Sequence, residues 1–116
     1  MKAKLWNLTQ NRVLSSKVRY CNRFFSRLKG LLGTSKIEVD EACWLIPCSG
    51  IHTLGMRYAI DAYFLNRENE VLAVVRNLKP NRLSPIFRSA HSVLEFAAGF
   101  SDRCRVGDKI GWEAHS

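Results

Sequence analysis

Apolar and polar positions divide this chain into short extended segments and one helical stretch. Leu5 to Leu8 reads as a strand, and Gln10-Asn11-Arg12 as a turn into Val13-Leu14. Val18 to Cys21 continues in extended form. Asn22 is then a candidate N-cap for a helix over 23–32, ended by Gly33. Phe24, Phe25, Leu28, Leu31 and Leu32 fall within one arc at about 100° per residue, which makes a core-facing stripe. Beyond the helix the period shortens. Ala42 to Ile46 is a strand stopped by Pro47 and Gly50. Tyr58 to Asn66 and Val71 to Leu78 form a hairpin across Arg67-Glu68-Asn69-Glu70. Lys79 to His91, with Pro80 and Pro85, is a long loop. Ser92 to Ala97 is a strand, Gly99 to Arg103 a bend or short helical turn, and Lys109 to Glu113 a last strand. The pattern predicts a mainly β (α+β) fold, a compact barrel or sandwich with one amphipathic helix packed on it.

The length of 116 residues suits a single domain over 1–116 with one core, and no repeat or linker divides it. No window reaches the roughly 18 apolar residues of a membrane span. The basic opening Met1 to Lys4 leads into a segment broken by Asn7 and Gln10, unlike an export signal. These features predict a cytoplasmic protein with its four cysteines reduced. The net charge of +8 is uneven: the first 37 residues hold nine Lys and Arg and no acid. Such a lobe attracts nucleic acid weakly through charge alone. A solvated basic face is the preferred reading, because the charges form no run and no RNP-type aromatic signature accompanies them. Walker A, G-x-G-x-x-G and H-E-x-x-H patterns do not occur.

Candidate chemistry concentrates in residues 48–65. Cys48, His52, Thr53, Arg57 and Asp61 precede or enter an apolar strand, and Glu95 sits in another. Carboxylates in such segments need partners. His52 and Arg57 supply them nearby, and Arg27 lies on the helix flank beside Gly30, where a neighbour can approach closely. We expect His52, Arg57, Asp61 and Glu95 to converge near the start of the 58–66 strand, with Arg27 reaching in. The cluster is then either a closed brace or a ligand pocket that Thr53 and Met56 help to line. Cys48 and His52 also have the chemistry of a nucleophile–base pair, or of metal ligands with Cys43. The spacing supports neither specifically, so no catalytic, metal or cofactor site is assigned.

At these residues the chain resembles the domain of unknown function 192 family, also called uncharacterised protein family 0127. Arg27-Leu28-Lys29-Gly30-Leu31-Leu32 is similar to its R-x-x-G-L-[ML] element. Ile51 to Asp61 resembles its I-H-T-F-x-M-R-F-x-I-D signature, with Leu54 in place of Phe, and Cys48 also fits. Leu94 to Gly99 resembles L-E-[LV]-x-A-G, and Gly107-Asp108 the closing G-D. The likeness spans about 18–113 and implies a compact, mostly β fold without an established activity. The preferred functional reading is a small non-enzymatic binding or accessory module. Its polar pocket around His52, Asp61 and Glu95 takes a small ligand or protein partner. The alternatives are a hydrolase-like or metal-assisted enzyme using Cys48 and His52, and weak nucleic-acid binding.

Overall fold

A computed structural model of the protein describes residues 2–21, 38–99 and 102–115. Eight strands run through them: β1 (Lys2–Asn7), β2 (Arg12–Ser15), β3 (Lys17–Cys21), β4 (Glu41–Leu45), β5 (Ile60–Leu65), β6 (Val71–Leu78), β7 (Ser92–Ala97) and β8 (Ile110–His115). They make a three-stranded sheet ordered β2-β1-β8 and a five-stranded sheet ordered β3-β4-β7-β5-β6. All pairings are antiparallel except β3 with β4.

Local chemistry explains the β5–β6 hairpin. The Asn66 side-chain oxygen accepts the Glu68 and Glu70 amides, both at 2.9 Å. Asn69 takes the left-handed conformation, φ 61°, that Asn tolerates better than most residues. On β6 a bulge places both Arg76 and Asn77 against Asp61, because Ile60 pairs with Leu78 but Ala62 with Val75.

The five-stranded sheet is covered on both faces, so β5 and β7 are buried along their whole lengths. On one face Trp44, Tyr63, Leu94 and Phe96 pack toward Leu5, Leu14 and Ile110 of the smaller sheet. The Tyr63 and Phe96 rings meet edge to face at 5.8 Å. On the other face Cys43, Ile60, Phe64 and Val93 are covered by Ile51, Met56 and Phe87 from the loops. Each large side chain buried this way contributes about 1.5–3 kcal/mol.

Three expectations need comment. The mainly β architecture is present, but among the described residues every element is a strand, and the two sheets form no closed barrel. The helix over 23–32, and Arg27 with it, lies outside the described residues. Finally, Cys43 is disulfide-bonded while Cys48 and Cys104 are free thiols, which corrects the expectation of four reduced cysteines. Spacing along a chain carries no redox information, so the pattern had no means of showing this.

Candidate functional site

Strand register separates the two carboxylates expected to meet. Asp61 stands opposite Phe96, whereas Glu95 stands opposite Ala62 on one side and Cys43 on the other. Directly paired residues share a face and sequential ones alternate. Asp61 therefore faces the smaller sheet, and Glu95 faces the loops. The convergence of Asp61 with Glu95 is corrected accordingly. Both carboxylates are buried, Asp61 at 1% and Glu95 at 0% exposure.

The surroundings of Asp61 are those of a brace. Its Oδ1 accepts the Asn77 amide at 2.8 Å, satisfying a backbone donor that the bulge displaces from the regular ladder. Asn77 itself is left-handed, φ 54°. The Oδ2 atom lies 3.6 Å from Arg103 Nη1 and 3.9 Å from Arg76 Nη2. These are charge pairs, too long for hydrogen bonds. Arg103 is buried over the Phe96 ring at 4.3 Å and donates to the Ala97 and Val39 carbonyls at 3.2 and 3.4 Å. Arg76 also pairs with Asp102 at the surface.

A second buried carboxylate extends this brace. Asp108 Oδ2 accepts Asn7 Nδ2 at 2.8 Å, Gln10 Nε2 at 2.9 Å and the Arg105 amide at 2.9 Å. Asn7 also donates to the Arg103 carbonyl at 3.1 Å, tying β1 to the segment before β8. Burial by itself raises the Asp108 pKa, but the hydrogen bonds from Arg105, Asn7 and Gln10 outweigh it and hold the carboxyl below its ordinary value. The neighbouring Cys104 thiol is pushed up to about 12 by burial and by the Asp108 charge, so it is a poor nucleophile. Burial likewise raises the pKa of Tyr63. Sequence reasoning missed Arg103, Asn77, Asn7 and the role of Asp108. The Gly107-Asp108 pair was the available signal: Gly107 has φ +97°, and Asp108 follows it into the network.

The Glu95 face is organised by loop 46–59. It opens with a cis Ile46-Pro47 bond, and it seats Ile51 and Met56 on the apolar cluster there. Thr53 is fully buried; its hydroxyl donates to the Lys79 carbonyl at 2.5 Å and accepts the Arg82 amide at 2.9 Å. That bond pair locks loop 46–59 to the loop after β6. His52 is half-buried, forms a bridge with Leu83, and accepts the Leu54 amide on Nδ1 at 3.3 Å. The Cys48 thiol donates to the Gly50 carbonyl at 3.1 Å, and Arg57 is exposed. Among the described residues no three His, Cys, Asp or Glu side chains group as a metal site.

Comparison with known proteins agrees with this architecture. A family model for DUF192, described as an uncharacterized ACR, matches residues 6–112. A UPF0127 protein of Thermococcus sibiricus is 28% identical over 116 residues, covering 94% of this chain and 74% of its own. A UPF0127 protein of Pyrococcus furiosus is 30% identical over 113 residues, covering 91% and 95%. A crystal structure of a protein of unknown function from Novosphingobium aromaticivorans superposes with TM-score 0.77 at 18% identity, over 97% of this chain and 84% of that one. One from Sinorhizobium meliloti, described as a candidate transcription regulator, gives 0.74 at 17% identity, over 96% and 92%. At these identities the two structures speak to the fold alone. With most of its length matched by the family model and by curated relatives, the chain belongs to the DUF192 (UPF0127) family.

Proposed function

We propose that this protein is a non-enzymatic binding or accessory module whose ligand face is the one carrying Glu95. The observation that carries the reading is a fully buried carboxylate at mid-sheet, between Cys43 and Ala62, on the face that the 46–59 loop covers with Ile51 and Met56. A carboxylate at this depth recognises a ligand through a cationic or hydrogen-bond-donating end. Small amines, amino acids and chain termini have that chemistry. Asp61, with its brace on the other face, supports the site from below rather than lining it.

The cytoplasmic setting is part of this reading: the free thiols of Cys48 and Cys104 support it, and the Cys43 disulfide counts against it.

The test is a chemical-shift titration of the labelled full chain with small amines, amino acids and short peptides. The reading expects shifts concentrated at Glu95, Cys43, Ala62 and residues 48–58, and lost in Glu95→Gln. Shifts confined to the Asp61 face, or none with any compound, would reject it.

A further inference from the structure

Two loops on the chain, residues 49–56 and 79–87, are laced together by backbone hydrogen bonds. Thr53 donates to Arg82, Ser84 to Ile51 and Phe87 to Ser49, each at 2.9 Å. This pair of loops puts three aliphatic side chains into water: Leu54 at 50%, Leu83 at 73% and Ile86 at 74% exposure. Clustered exposure of large aliphatic groups marks surfaces that meet a partner or a membrane.

The segments that carry them bear charge of one sign. Residues 42–60 and 71–94 contain no Asp or Glu. Lys79, Arg82 and Arg88 flank the aliphatic tips, are exposed, and carry no ion pair among the described residues. Arg88, two positions from Ile86, also lines an open depression of about 400 Å³, where Arg67, Arg88 and His91 outnumber the one carboxylate, Glu68. Neither guanidinium there is paired among the described residues. Guanidinium forks suit a phosphate oxyanion.

We propose that this surface docks the protein onto an anionic phospholipid membrane. Leu83 and Ile86 enter the interface, the cations meet the surface charge, and the Arg88 depression receives a headgroup phosphate. Aliphatic tips fit acyl chains and headgroup boundaries. A surface for single-stranded nucleic acid calls instead for exposed aromatic platforms, and Phe87 is turned inward against Phe64 at 4.6 Å between ring centres. The docking is peripheral, and among the described residues no helix is long and apolar enough to span a bilayer. It uses the outer side of the loops that cover Glu95, and its cations and aliphatic tips do not include that carboxylate.

Vesicle flotation of the full chain tests it, comparing phosphatidylcholine vesicles with and without phosphatidylglycerol. The expected result is binding that requires phosphatidylglycerol and weakens as sodium chloride is raised. Leu83→Ser with Ile86→Ser should lower the partition coefficient about tenfold or more, by removing the inserted aliphatic area. Arg88→Gln should lower it about fivefold, the effect of one charge near an anionic surface. Inorganic phosphate in solution should compete only weakly, because it supplies the headgroup contact alone. These positions are exposed, so thermal melts should match wild type. Should the double variant fail to fold, Arg88→Gln and the salt series decide the matter. Equal binding to both vesicle types, no binding to either, or binding unchanged in the variants would overturn the proposal. So would retention on DNA with no vesicle binding.

Discussion

Replacing Asp61 with Asn removes one charge from the interior while keeping the shape of the side chain. The amide oxygen of Asn still accepts the Asn77 amide, so the bulge keeps its bond. What changes is Arg103. It is 8% exposed, lies 3.6 Å from the carboxylate, and keeps the Ala97 and Val39 carbonyls as acceptors. Stranding one member of a buried pair costs about 3–5 kcal/mol. The 3.6 Å separation and the remaining carbonyls place this case lower, at about 2–4 kcal/mol. Arg76 adds at most about 1 kcal/mol, because it is 39% exposed and keeps Asp102. Asp61→Ala also takes away the acceptor for Asn77, for a further ~1–2 kcal/mol. Urea unfolding followed by tryptophan fluorescence reads these values directly, with a slope of about 2 kcal/mol/M giving midpoint shifts of about 1–2 M. Adding Arg103→Met to Asp61→Asn should recover part of the loss, because the buried guanidinium is then removed together with its counter-charge. An Asp61→Asn loss below about 0.5 kcal/mol, or no recovery in the double variant, would refute the brace.

Three further outcomes follow from the same interactions. Thr53→Val leaves the Lys79 carbonyl and the Arg82 amide without their buried partner and should cost about 2–3 kcal/mol in the same urea assay. Asp108 has a folded pKa below its ordinary 3.8, so its contribution is full above that value and vanishes as pH falls through the folded one. Wild type should therefore lose more stability between about pH 6 and about pH 2 than Asp108→Asn does, and parallel losses would contradict this. Cys104, with its pKa at about 12, should stay unmodified when the native protein meets iodoacetamide near neutral pH. Peptide mapping should find Cys48 alkylated ahead of it, and early labelling of Cys104 would show that its burial is misjudged.

Much of the fold is legible in residue order. The Val71–Leu78 strand, the hairpin at 67–70 and the Ser92–Ala97 strand all fall where period and turn residues put them. The site is less legible, for a physical reason. Alternation within a strand tells which neighbours share its face, and so sets Asp61 with Tyr63 and Glu95 with Val93. It does not tell how two strands are registered. Because β5 and β7 are covered on both sides, neither shows the apolar–polar alternation that would label its two faces. Only the pairing of Asp61 with Phe96 reveals that the carboxylates part company. Arg103 is hidden for a related reason: it reaches Asp61 from an irregular segment 42 positions away, where no period operates. The polar segment 48–61 was visible as a unit, but its members divide between locking loops, filling the core and bracing a bulge.

The central claim is this division of labour, with Asp61 holding the fold and Glu95 serving a ligand. Thermal melts of Asp61→Asn and Glu95→Gln test it most directly, each with and without the amine or peptide that gives the largest shifts in wild type. The account predicts that Asp61→Asn melts well below wild type and still gains stability from the ligand. Glu95→Gln should melt near wild type and gain none. A Glu95→Gln variant that falls as far as Asp61→Asn, or keeps the ligand's full protection, would contradict it.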